Sequence, residues 1–220
     1  MAAYGPPLPT FRLDPVSQLV LSMLGARTHD HISRRYFSDL ANHHPRWEEL
    51  TQIPYADFSA HISGVTHAER KAVFIPQALR GIIERRRRLD LDFLSAWPVD
   101  DALAWLDALR GVGPKTSAAV LNFSTLHQRA LVVDTHYWRV ARRLGLISPK
   151  TSLAKSSQLL MRQIPSFWTA DDTEKNFIFM KKLGQEYCHH AAPECVRCPL
   201  QSICPHAAVL RSSNDHDRHV

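Results

Sequence analysis

Residues 103–136 read LAWLDALRGVGPKTSAAVLNFSTLHQRALVVDTH, and two runs of helical spacing within them flank Gly111-Val112-Gly113. In and just before the first run, Ala102, Trp105, Leu106 and Leu109 recur every three or four residues, so one face is apolar. Glycines at 111 and 113 can take positive φ and let a foreign backbone approach where a side chain would collide. Pro114 suits the first position of a second helix, its φ preset and its missing N–H not needed there. The N–H groups just after Gly113 are expected to point outward without partners, at the positive end of a helix dipole. Such an arrangement binds an anion such as a phosphate. Lys115-Thr116 follows directly, and a solitary carboxylate, Asp134, stands nineteen residues after Lys115.

Upstream, Asp14 is a candidate N-cap with Pro15 at the first helical position. Val16, Leu19, Val20, Met23 and Leu24 then mark a helix that stops near Gly25. Residues 29–42 and 47–61 read as two more helices, the first with an apolar stripe of Ile32, Tyr36, Phe37 and Leu40. His43-His44-Pro45 separates them as a loop, because the residue before proline is pushed out of the α region. Pro76 falls inside a further helical pattern and is expected to kink it, and Arg85 to Arg88 form the densest positive run.

Downstream, Thr135 begins a helix with Tyr137, Val140, Ala141 and Leu144 on its apolar side. Arg139, Arg142 and Arg143 form its basic side. Residues 152–163 and 171–187 read as further helices, with Leu153, Leu159, Leu160, Ile164, Phe177, Phe179 and Leu183 facing inward. No sustained period-two pattern occurs, so the fold class is all-α. The first dozen residues hold three of the fourteen prolines and should lie extended, and the polar tail 211–220 reads as disordered.

All four cysteines fall within YCHHAAPECVRCPLQSIC, as Cys188, Cys195, Cys198 and Cys204, with the spacing C-x6-C-x2-C-x5-C. Four thiols gathered this closely point to a metal centre rather than disulfides, and zinc and an iron–sulfur cluster both suit four cysteines. The excess of 27 Lys+Arg over 21 Asp+Glu gives a formal charge of +6, which favours a polyanionic partner. No apolar run approaches the roughly 18 residues of a membrane span. No secretory signal precedes the first helix, so an intracellular, non-membrane protein is expected.

LRGVGPKTSAAVLNF followed by VVDTH resembles the helix-hairpin-helix DNA glycosylases, and most closely the endonuclease III branch. The cysteine spacing is also that of this branch's [4Fe–4S] loop, and the resemblance covers roughly residues 14–206. It implies two helical lobes with the active site in the cleft between them. Residues 14–128 would form the lobe that carries the hairpin (about 102–124). Residues 129–206, with the N-terminal segment, would form the cluster domain ending in the loop 188–204.

The resemblance further implies a monomeric, bifunctional DNA glycosylase/AP lyase of base excision repair. Its partner would be double-stranded DNA containing a damaged base, by family default an oxidised pyrimidine, or an abasic site. Lys115 would be the nucleophile and Asp134 would stabilise the oxocarbenium charge and move protons, while Asp107 matches a further acidic position. Gly111, Val112, Gly113, Thr116 and His136 fall on DNA-binding positions, and Cys188, Cys195, Cys198 and Cys204 would ligate the [4Fe–4S] cluster.

Several positions depart from the family pattern. Arg27 stands where a glutamine usually enters the duplex, and His67 where a leucine or aromatic wedge is common. The cysteine loop has no Lys or Arg between Cys188 and Cys195, leaving Arg197 as its nearest fixed positive charge. The extra N-terminal helix common in the family is not expected in this chain. The rival readings are a monofunctional glycosylase of the same fold, perhaps for adenine mispairs, and a non-catalytic DNA-binding module. That adenine branch normally adds a C-terminal domain, and the pair Lys115 and Asp134 speaks against the module.

Overall fold

A computed structural model describes residues 11–209, all helix, turn and irregular chain with no strand among them. The N-terminal ten residues and the tail 211–220 lie outside the described residues. The chain divides into two compact units, Phe11–Ala130 and the part from Leu131 onward.

The first unit is built around α1 (Pro15–Leu24). Asp14 caps it by accepting the N–H groups of Val16 and Ser17 at 3.0 Å each, and Pro15 occupies the first turn. Every residue of α1 except Leu21 is buried, because the helix is packed on several sides, by α2 (Asp30–His43), α4 (Ala68–Arg86) and α6 (Pro114–Phe123). Its polar side chains are satisfied inside: Ser17 accepts the Trp47 indole N–H at 2.8 Å, and Gln18 donates to Ser22 at 2.9 Å.

Two expectations change here. The stretch 47–61 is not one helix. It is a 3-10 turn, Trp47–Thr51, and a separate α3, Tyr55–His61, with Pro54 between them. Proline offers no N–H to continue a helix and holds its predecessor extended. In α2 only Leu40 of the expected stripe is fully buried. Ile32, Tyr36 and Phe37 are partly exposed, Phe37 lying against the Trp47 ring at 5.5 Å.

α4 runs unbroken through the buried Pro76. The arginines at its end are tied within their own unit. Arg85 donates to the carbonyls of Trp105 (3.4 Å) and Ala108 (3.0 Å), at the C-terminal end of α5 (Val99–Asp107). The Arg86 guanidinium lies 3.9 Å from the Phe93 ring centroid, and Arg88 pairs with Asp90 at 2.7 Å. Cations placed on orphan C-terminal carbonyls close that helix end.

The second unit is organised on α7 (Thr135–Arg143), which packs on α9 (Ala170–Glu186) and on α8 (Leu153–Met161). Thr169 and Asp172 form a capping box at the start of α9. Tyr137 is buried and its hydroxyl donates to Asn176; burial pushes its pKa up. Leu153 and Leu159, expected inside, are exposed, and α8 presents Ser156 and Leu160 to the core instead.

Candidate functional site

The hairpin is α5, a turn over residues 108–113, and α6 with Pro114 in its first turn. Gly111 has φ +80°, and a Cβ added there would come within 2.5 Å of the Phe74 Cβ. Glycine is therefore required twice over at this position. Gly113 differs from the expectation: its φ is −139°, extended backbone open to any residue, and a Cβ there would meet nothing within 4 Å. Its open surroundings leave room for an approaching molecule rather than for the chain itself.

The N–H groups at the start of α6 are also less available than expected. Thr116 and Ser117 both donate to the Gly113 carbonyl, at 2.8 and 3.0 Å. The side chains of Val112 and Thr116 are buried, so they face the protein interior. The Ser117 hydroxyl reaches back to Asp107, joining the two helices of the hairpin. Burial pushes the Asp107 carboxyl up, and that hydrogen bond works against the shift.

Lys115 stands at the second residue of α6, partly exposed. Its charge is felt by Lys71, near the start of α4. Lys71 is 7 % exposed, and its Nζ donates to the Leu24 carbonyl at 2.6 Å and to the Thr28 hydroxyl at 2.8 Å. Burial, first, and the Lys115 ammonium, second, lower the pKa of Lys71 to about 8. Arg27 and His67 are both exposed and both left-handed, at φ 57° and 59°. Such a conformation costs a non-glycine residue about 1–2 kcal/mol, so the surrounding chain must impose it.

In the other unit Asp134 is the N-cap of α7, its Oδ1 accepting the Tyr137 N–H at 2.8 Å. His136 is the second residue of the helix, with Nδ1 3.2 Å from Arg139, and its Cβ would be 2.8 Å from a Cβ at Gly184. Arg139 and Arg143 do not form a solvated basic face. Arg139 donates to the Cys188 and Gly184 carbonyls, both at 2.7 Å. Arg143 donates to Cys188 Sγ at 3.2 Å and to the carbonyls of His189 and His190 at 2.6 and 2.9 Å.

Cys188, Cys195, Cys198 and Cys204 are half-buried free thiols. Burial raises the Cys195 thiol, and its three neighbours add to the rise while Arg143 opposes it. Burial also raises Cys198. Once ionised, four neighbouring thiolates need a cation among them, and the chemistry of this donor set is that of a four-cysteine metal centre. Arg197, the expected positive charge of the loop, is paired with Glu194.

Residues 20–166 match the HhH-GPD superfamily of base excision DNA repair proteins. Endonuclease III of Bacillus subtilis is 30% identical over 193 residues, covering 87% of this chain and 81% of that protein. A putative DNA glycosylase of Arabidopsis thaliana is 31% identical over 147 residues, 67% of this chain and 50% of that protein. Among solved structures, a trapped endonuclease III–DNA covalent intermediate superimposes with a TM-score of 0.76 at 23% identity, over 91% of this chain and 88% of the other. A thermostable thymine-DNA glycosylase gives 0.73 at 17% identity, over 89% and 85%. The fold is that of the helix-hairpin-helix glycosylases, and the chain belongs to the HhH-GPD superfamily of base excision DNA repair proteins. Within that superfamily it is endonuclease III-like.

Proposed function

We propose that this chain is a bifunctional DNA glycosylase/AP lyase that excises a damaged base, an oxidised pyrimidine by preference, from double-stranded DNA and then nicks the strand. The observation that carries the lyase reading is the placement of Lys115 directly after the hairpin turn, at the N-terminal end of α6. A positive charge is disfavoured at a helix N-terminus, and only a neutral amine is a nucleophile.

The target nucleotide is flipped out of the stack, since the bond to be cut is inaccessible within the duplex. Lys115 Nζ forms a bond to C1′ of the sugar as the bond to the base breaks, and the base leaves with a proton. Asp134 stabilises the positive charge that develops at the anomeric carbon, with the Tyr137 N–H holding its carboxylate in place. Ring opening gives a Schiff base. Loss of the C2′ proton then expels the 3′ phosphate by β-elimination, and water releases Lys115. DNA is gripped through the Gly111–Gly113 turn, with Arg27, His67 and His136 as further contacts. Cys188, Cys195, Cys198 and Cys204 hold a [4Fe–4S] cluster, which braces a loop with little core of its own.

Borohydride tests the reading, because it reduces a Schiff base to a permanent protein–DNA crosslink. Wild-type protein should trap on an abasic-site duplex and Lys115→Gln should fall to background. Asp134→Asn keeps the amine, so base excision should slow more than trapping on a preformed abasic site. Trapping by Lys115→Gln at the wild-type level would give the nucleophile's role to another amine. A panel of duplexes with different lesions, scored for strand cleavage, tests the oxidised-pyrimidine preference.

A further inference from the structure

Among the described residues, Lys71 is the one lysine, arginine, aspartate or glutamate that is buried. The two groups its Nζ binds are not on its own helix. Leu24 ends α1, and Thr28 closes the turn that follows it, 47 and 43 residues away in sequence. The Thr28 hydroxyl oxygen also accepts the N–H of Thr66, at 3.1 Å, from the turn that leads into α4. One oxygen therefore joins two turns, and one buried ammonium fastens that oxygen to the end of α1.

The residues next in chain to this junction are the two left-handed ones. Arg27 precedes Thr28, and His67 follows Thr66. Both are exposed, and His67, the N-cap of α4, makes no side-chain cap hydrogen bond. An apolar side chain would fill the space of Lys71 without the desolvation of a charge, so the retained cation points to a demand on geometry rather than on burial.

We propose that Lys71 is a positioning residue, whose buried ammonium clasps the Gly25–Thr28 turn to the Ile62–His67 turn and so presents Arg27 and His67 together to the distorted site in DNA. The inference rests on the proposed glycosylase function. Lys71 does not touch the reacting atoms in this account; it acts through the two turns.

The test compares affinity for an abasic-site duplex with affinity for the same undamaged duplex, using the full chain. Wild type should prefer the abasic site, and absence of that preference would count against the proposed function itself. Lys71→Met should lose the preference at least tenfold while binding undamaged duplex as before, and Lys71→Arg should restore part of it. Thr28→Val removes the shared oxygen without touching the lysine, and it supplies the same test if Lys71→Met fails to fold. The expected result is the same loss. A preference retained at the wild-type level in a folded Lys71→Met or Thr28→Val protein, whatever happens to melting temperature, would overturn the clasp and leave the glycosylase reading intact.

Discussion

Lys71 has its pKa held at about 8 by burial and by the charge of Lys115, against 10.5 for an ordinary lysine. The unfolded chain therefore keeps a proton that the folded one has given up, in the window between about pH 8 and 10.5. Unfolding takes up that proton, so the group's contribution to stability is complete above pH 10.5 and is lost as pH falls through 8. The urea midpoint of wild type, measured relative to that of Lys71→Met, should accordingly rise from pH 7.5 to pH 10. A difference that stays flat across this range would mean the ammonium is solvated. None of this was legible in the sequence, where a lysine at the start of a helix reads as a surface residue. Its partners come from a distant helix end, and only the tertiary fold brings them to it.

The hairpin was legible as an element because its signals are local: a proline at a helix start, glycines in the turn, and apolar residues at helical spacing. What the two glycines do was not, because sequence treats them alike and the structure separates them. Gly111→Ala must bear a positive φ and a clash with Phe74, so it should lower stability by about 1–3 kcal/mol. A Cβ at Gly113 meets nothing within 4 Å, so Gly113→Val should lower stability less than Gly111→Ala does. It should nevertheless weaken binding to damaged and undamaged duplexes alike, by filling the space that an approaching DNA backbone would take. Equal affinity of Gly113→Val and wild type for plain duplex would remove the hairpin as the DNA anchor. The break at Pro54 and the exposed face of α8 were missed for a related reason. An apolar residue shows its period in the sequence, but which side a neighbour covers is decided elsewhere.

Across the whole molecule the formal charge of +6 overstates what is available to DNA. Arg85, Arg88, Arg139, Arg143 and Arg197 are each bonded to carbonyls, carboxylates or a thiol of their own unit. Each phosphate contact contributes about −0.9 to the slope of log affinity against log salt. Single Gln replacements of Arg85 or Arg88 should therefore leave that slope unchanged, and a drop of about one in either would show the residue reaching DNA. Arg143 has a different task, since it spans Cys188 Sγ and the carbonyls of His189 and His190. If the four cysteines hold a [4Fe–4S] cluster, anaerobically purified protein should be brown, with iron and sulfide at about four each per chain. Arg143→Met removes a positive charge beside the thiolates and the donors that fix the first turn of the loop, so it should lose iron faster than wild type to a chelator. Cysteine loop spacing alone admits zinc, and the two metals separate cleanly in this measurement. Colourless protein with one zinc per chain and no sulfide would sink the cluster assignment, while leaving Arg143 as the residue that holds the loop.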